Sequence, residues 1–300
     1  MNKIACMIVT YNRRELLDRC LNALEEQTCQ GFDILVVDNG SHDDTGEYLL
    51  KRKESCNAKA AYERFIIVTV AENEGMANGY NVGYEAVFSR GYDWIWTMDD
   101  DGLPEKHQLE ELMKAAKQTG LYYLNSLVCN INNPEQLAFG LAGIKSTAAA
   151  MEHPFIYGSV NPDNGTFIHK KVFEKCGNIM KELVSYGMET EYVTRVKRDG
   201  FEVVTVTTSI HYHPLAKVES RNVIPWIKSV IITDYSYEKM WLIRNKAYIN
   251  HRYIGVKGEL KMWTTYFIYY LLRLHFKKMR LFCQYYIEGC KGIVGDKKEG

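Results

Sequence analysis

The chain has 300 residues, 46% of them hydrophobic, and its 37 basic side chains balance 37 acidic ones. This length and mixture fit one large or two small globular domains and exclude disorder as the default state. The even balance also excludes a global attraction to nucleic acid, so any electrostatic preference must be local. Eight cysteines without a C-x-x-C pair, and a beginning that reads as a strand rather than a secretory leader, predict reduced thiols in a cytoplasmic protein.

In chain order, KIACMIVT at 3–10 is an apolar run that predicts a strand. Behind it, Leu16, Leu17, Cys20, Leu21 and Leu24 share one helical face. FDILVVDNGS at 32–41 predicts a second strand closed by a turn signal, followed by an acid-rich helical segment. RFIIVTVAEN at 64–73 and YDWIWTMDDD at 92–101 read as the third and fourth strands, with Trp94 and Trp96 as core or pocket wall. Behind Pro104, a good helix opener, Leu109, Leu112, Met113 and Ala116 repeat at helical spacing.

YYLNSLVC predicts another strand, and 130–163 is irregular. NGTFIHKKVFEKCG reads as strand then short helix, ETEYVTRVKRDG as a helix stopped by Gly200, and FEVVTVTTSIHYHP as a strand ending in two histidines. From 235 to 290 the pattern is helical and tyrosine-rich. Its longest uncharged run, MWTTYFIYYLL at 262–272, falls well short of the roughly 20 residues a spanning helix needs. Lys277, Lys278 and Arg280 then alternate with apolar residues, a pattern shared by a helix at a membrane interface and by one packed on its own protein.

Alternating strands and helices predict a mostly parallel α/β sheet covered on both faces, which binds ligands outside the carboxyl ends of its strands. TYN, VDNGS, AENEG and MDDDG all fall at such ends and should converge on one crevice. Asp99, Asp100 and Asp101 would repel one another there, and a divalent cation resolves the conflict. In extended backbone Asp99 and Asp101 share a face while Asp100 points away. The competing reading is a solvated acidic turn.

MIVTYNR, VVDNGS, NEGMANGYNVG and MDDD, in this order, resemble glycosyltransferase family 2, inverting enzymes of the GT-A fold. The third fits an N-x-G-x-x-x-G-x-N-x-G pattern through Asn73, Gly75, Gly79, Asn81 and Gly83. The resemblance covers about residues 3–215 and is nearest to bacterial galactofuranosyl- and rhamnosyltransferases of cell-surface polysaccharide synthesis. WLIRNKAYI at 241–249 is similar to a late Tyr/Trp-x-x-Arg-Asn segment of those enzymes.

The resemblance implies a Rossmann-like GT-A domain over 1–215, with nucleotide-sugar binding in 1–120 and the acceptor part in 121–215, and a helical C-terminal region over 216–300. It implies Mn²⁺ or Mg²⁺, a UDP- or dTDP-linked sugar donor, and a glycan or lipid-linked glycan acceptor. Thr10, Tyr11, Asn12 and Arg13 would close over the nucleotide, with Arg13 toward the diphosphate. Asp38, beside Asn39, would accept from the base. Asn73 lies in the glycine-spaced segment, where Gly75 and Gly79 would allow close backbone approach. Asp99 would serve ribose and metal, Asp101 would be the main metal ligand, and Asp100 would help position the sugar.

The family's catalytic aspartate matches Glu189, with Glu191 as the competing base; glutamate here departs from the family pattern. A histidine after the last strand completes the metal site in several relatives. Spacing favours His211, while Pro214 marks His213 as the loop bystander. A dinucleotide oxidoreductase is excluded, because TYNRRE carries none of the glycines of G-x-G-x-x-G. A sugar nucleotidyltransferase and a non-catalytic sugar-nucleotide binding protein remain as alternatives. The expected location is cytoplasmic, with peripheral contact at the inner face of the cell membrane through the C-terminal region.

Overall fold

The computed structural model describes residues 3–58, 62–215, 220–232 and 237–295, with side chains from 241 onward in the last segment. It divides into two compact units, one of residues 1–179 and 195–216, the other of 180–194 and 217–300. Residues 180–194, which the sequence placed with the sheet domain, instead belong to the second unit.

The first unit opens with β1 (Ile4–Thr10), α1 (Arg14–Glu25), β2 (Asp33–Asp38), α2 (Thr45–Asn57), β3 (Phe65–Thr69), α3 (Met76–Ser89) and β4 (Trp94–Asp99). The four strands are parallel and stand in the order β3-β2-β1-β4. All seven residues of β1 are buried, as expected of a strand covered on both faces. On one side, Cys6 and Ile8 share a core with Leu17, Cys20, Leu21 and Leu24 of α1 and with Trp96. On the other, a Cβ on Gly83 of α3 would come within 2.3 Å of Met7 Sδ, so the helix lies directly on the strand. Trp94 and Trp96 are both core.

There follow β5 (Leu103–Pro104), α4 (Gln108–Thr119), β6 (Tyr123–Asn130), β7 (Asn133–Leu137), α5 (Thr147–Met151), β8 (Phe155–Tyr157), β9 (Asn164–His169), α6 (Lys170–Cys176), α7 (Met188–Arg198) and β10 (Val204–His213). In α4 it is Leu109, Leu112 and Ala115 that are buried, while Met113 faces out. The sheet continues from β4 through β9, β6 and β10 to β5. β9 is antiparallel to β4 and β6, whereas β6 and β10 run parallel. One mixed, mostly parallel sheet thus crosses the division expected near 120. The stretch expected to be irregular, 130–163, holds the short elements β7, α5 and β8.

The second unit contains the start of α7, through Thr194, together with the hairpin β11 (Ser220–Ile224) and β12 (Ile227–Val230) and the helices α8 (Tyr237–Ile249), α9 (Val256–Leu271) and α10 (Phe276–Cys290). A π-helical turn, Asn250–Ile254, links the first two helices. Val223, Ile243, Met262, Tyr270 and Phe282 form its core together with Tyr266, which stacks on Phe282 at 4.5 Å. Such tyrosines can be buried because their hydroxyls find partners: Ile232 donates its amide to the Tyr266 hydroxyl at 3.1 Å.

Candidate functional site

In the order β3-β2-β1-β4, the carboxyl ends of β1 and β4 lie side by side, with Val9 paired to Asp99. The four polar clusters meet at this edge through hydrogen bonds. Thr10 donates its hydroxyl to Asp100 Oδ2 at 2.8 Å. The amide of Asn12, held at φ 52°, donates to Ser41 Oγ at 3.0 Å, and its side-chain oxygen accepts from the His42 amide at 2.8 Å. Asp38 accepts from the Ser41 amide at 2.9 Å, and Asn39 Nδ2 donates to Gly75 O at 3.1 Å. Asn73 Oδ1 in turn accepts from the Gly75 amide at 2.8 Å. Tyr11 is partly exposed, edge-on to His42.

Two expectations at this edge change. Gly79 is buried, and its missing Cβ leaves room for Val9 Cγ1, which a Cβ would approach to 2.6 Å. The close approach expected at Gly79 is therefore to the protein's own β1, as in helix-on-strand packing. Asp100 is buried with both oxygens committed, one to Thr10 and the other to Arg13 Nη1 at 3.1 Å. It acts as a strut between β4 and the end of β1 rather than as a free group for the sugar. Arg13 also reaches Asp101 Oδ2 at 3.5 Å, so its guanidinium serves the acidic run.

The backbone is not extended through the acidic run: β4 ends at Asp99, and Asp100 and Asp101 lie in the turn that follows, yet single ligand atoms of Asp99, Asp101 and His213 lie within 4.8 Å of one another. Burial, reinforced by the Asp101 charge, pushes Asp99 up to about 7 despite the hydrogen bond donated by Tyr80 at 2.7 Å. For Asp101, burial works upward but is outweighed by His213 and Arg13, and its carboxyl lies below the ordinary value. His213 Nδ1 faces Pro214 O at 2.7 Å, and its Nε2 lies 3.1 Å from Asp101 Oδ1. With Nδ1–H donating to that carbonyl, Nε2 of the neutral ring carries a lone pair facing a carboxylate. Two acceptors at this distance require a proton or a cation between them. Burial opposes the proton on His213, but the bond to Asp101 prevails and raises the ring.

His211, the histidine favoured by spacing, does not join this group. It is fully buried, burial pushes it down to about 3, and its Nδ1 lies 3.3 Å from the Gln108 amide. Its ring packs over Gly102, where a Cβ would come within 2.2 Å of Nε2. A neutral imidazole thus supports the backbone just behind Asp101. The orienting carbonyl of Pro214 was missed, because proline was read only as a breaker.

Glu189 and Glu191 lie in the second unit, at the start of α7. Glu189 is half-buried, and desolvation raises its carboxyl. Glu191 is fully buried and accepts from the hydroxyl of Tyr253, a residue of the π-helical turn. The segment leading into Glu189 is held by Asn245, whose Nδ2 donates to Leu183 O at 2.8 Å and Tyr186 O at 2.7 Å. The late Arg-Asn motif thus positions the loop before Glu189, a role its sequence does not reveal. Removing a buried partner of two carbonyls costs about 1–3 kcal/mol. Asn245→Ala is expected to lower the melting temperature and reduce kcat while leaving the donor KM unchanged, as steady-state kinetics beside a thermal melt will show.

The chain is 24% identical over 257 residues to a galactofuranosyltransferase of Mycolicibacterium smegmatis, covering 82% of each chain. It is 26% identical over 216 residues to a dTDP-rhamnosyl transferase of Shigella flexneri, covering 67% of this chain and 66% of that one. Among solved structures, S. aureus TarS 1-349 in complex with UDP superposes with TM-score 0.56 at 13% identity, over 86% of this chain and 68% of that one. GalNAc-T7 with UDP, GalNAc and Mn²⁺ gives TM-score 0.56 at 14% identity, over 71% of this chain and 44% of that one. A further S. aureus TarS structure is matched over 72% of this chain but only 37% of its own. These neighbours are GT-A glycosyltransferases, and their likeness extends to the sheet just described. The profile of glycosyl transferase family 2 matches residues 5–175, more than half of the 300, and the chain belongs to that family.

Proposed function

We propose that the protein is an inverting, metal-dependent transferase. It moves galactofuranose or rhamnose from a UDP- or dTDP-linked donor to a hydroxyl of a glycan or lipid-linked glycan in cell-surface polysaccharide synthesis. The observation that carries this reading is the grouping of Asp99, Asp101 and His213 at the end of β4. Two carboxylates and a neutral imidazole suit Mn²⁺, with Mg²⁺ as the harder alternative. The names of the relatives favour the two sugars.

These three residues would hold a divalent cation, which when bound would supply Lewis-acid neutralisation of the leaving diphosphate. Tyr80 orients Asp99, Arg13 and Thr10 fix the acidic run, and Pro214 holds His213 in the ligating tautomer. Asp38, with one oxygen engaged by Ser41, retains acceptor capacity for the base of the nucleotide, and Asn39 and Asn73 keep the adjoining loop in place. Glu189 takes the proton from the acceptor hydroxyl as it attacks the anomeric carbon; its raised pKa brings it nearer the pH at which a base is most effective. Attack opposite the leaving group inverts the anomeric configuration. The reading supports action in the cytoplasm on donors supplied there.

A thermal-shift panel of nucleoside diphosphates, each with and without Mn²⁺, tests it. A UDP or dTDP shift that depends on Mn²⁺ is expected, since a ligand at 100 times its Kd adds about 2.7 kcal/mol to stability. No shift with any nucleotide, or the same shift with and without metal, defeats the reading.

A further inference from the structure

Large apolar side chains face outward along one edge of the second unit. Across the corner from the end of α9 into the start of α10, seven consecutive residues, 271–277, are exposed; Leu272 is 61%, Leu274 71% and Phe276 54% exposed. The inward sides of the same helices supply Tyr266, Tyr270 and Phe282 to the core, so the outward residues are additional to it. Leu274 has φ 54°, a left-handed backbone unfavourable for a leucine. Leu274 N to Leu271 O at 3.1 Å and His275 N to Tyr270 O at 3.0 Å hold it there. The fold thus fixes a strained corner that displays leucine to the outside.

The hairpin continues this edge. Arg273 lies 4.0 Å over the Tyr269 ring and donates to Asn222 O at 2.7 Å, which ties the corner to β11. The turn of that hairpin carries Trp226, 81% exposed, with Ile227 exposed beside it. Charge selects the occupant. From 260 to 287 there is no acidic residue, against Lys261, Arg273, Lys277, Lys278 and Arg280, and the hairpin adds Arg221 and Lys228 with no acid over 220–232. An apolar ridge carrying this excess of positive charge complements a surface with an anionic rim and an apolar interior. No helix among the described residues is long and apolar enough to cross a membrane, so the edge would lie on the surface.

We propose that the α9–α10 corner and the hairpin tip form a docking edge for an anionic lipid surface. Leu272, Leu274, Phe276 and Trp226 enter the boundary between headgroups and acyl chains, while Lys277 and Lys278 meet lipid phosphates. This does not rest on the transferase reading, because vesicle binding is measured without donor or acceptor.

The test is co-sedimentation of the full chain with phosphatidylcholine vesicles with and without phosphatidylglycerol. Binding is expected only with phosphatidylglycerol, weakened by salt, and brominated lipid should quench tryptophan emission in the wild type but not in Trp226→Phe. Leu272→Glu with Phe276→Glu should reduce partitioning at least about tenfold, in line with loss of buried apolar area. Leu274→Gly, which suits the left-handed backbone and so favours folding, should weaken binding as well. Absence of binding to phosphatidylglycerol vesicles, or undiminished binding by these variants, overturns the proposal. So does light scattering that finds a dimer which the same variants dissociate while the wild type ignores vesicles; the edge would then belong to a second copy.

Discussion

Glu189→Gln is expected to abolish sugar transfer while leaving donor binding intact. The substitution keeps the size of the side chain and removes its ability to accept a proton. A positioned general base contributes about 10²–10⁴-fold, and the loss should fall on kcat. Glu191→Gln should behave differently. Glu191 is fully buried and bonded to Tyr253, so its substitution disturbs packing and lowers the melting temperature. The two variants, compared in acceptor-dependent turnover and in thermal melts, separate base from support. As the proposed base, Glu189 would act only when ionised, and burial raises its pKa. Activity should therefore fall as pH drops through a value above the ordinary range for glutamate. Full turnover by Glu189→Gln would sink the assignment.

Asp101→Asn should remove the dependence of nucleotide binding on Mn²⁺. Asp101 is the member of the trio whose carboxyl lies below its ordinary value, so it is ionised when Asp99 is not. The loss in cation affinity should exceed the 10–100-fold typical of removing an outer-shell partner (~10–100-fold). The pH dependence gives an independent check. Without cation, Asp99 titrates at about 7, above the unfolded value of about 3.9. Between those values the folded chain holds a proton that the unfolded chain has released, so its stability falls as pH rises through that window. Cation binding must displace the same proton. The Mn²⁺-induced rise in melting temperature should hence grow as pH increases through about 7 and be absent in Asp101→Asn. A shift independent of pH, or preserved in the variant, would contradict the proposed ligands.

The sheet was legible because its strands announce themselves locally: IACMIV at 4–9 and LVV at 35–37 are buried throughout and unbroken in hydrophobicity. Side-chain alternation singles out Asp99 and Asp101, but the strand ends at Asp99, and it is the turn closed by Gly102 N to Asp99 O at 3.3 Å that carries Asp101 beside it. The choice between His211 and His213 was not legible. Both lie on one face of β10, and what separates them is tertiary: His211 is enclosed by Gly102 and Gln108, whereas His213 is turned by the carbonyl of Pro214. The expectation that Asp100 positions the sugar failed for the same reason, since its partners Thr10 and Arg13 lie about 90 positions away in the chain. Gly79 matched a motif correctly, yet the motif could not say whether its bare face met a ligand or Val9.

The assignment of 180–194 to the second unit bears on how such a chain can be altered. The donor-side ligands and the candidate base are supported by different sets of neighbours: Tyr80 and Thr10 for the former, Asn245 and Tyr253 for the latter. Substitutions among the C-terminal helices can thus alter the support of the proposed base without touching the residues proposed to hold the donor. The two halves of the proposed chemistry are therefore free to drift on separate clocks.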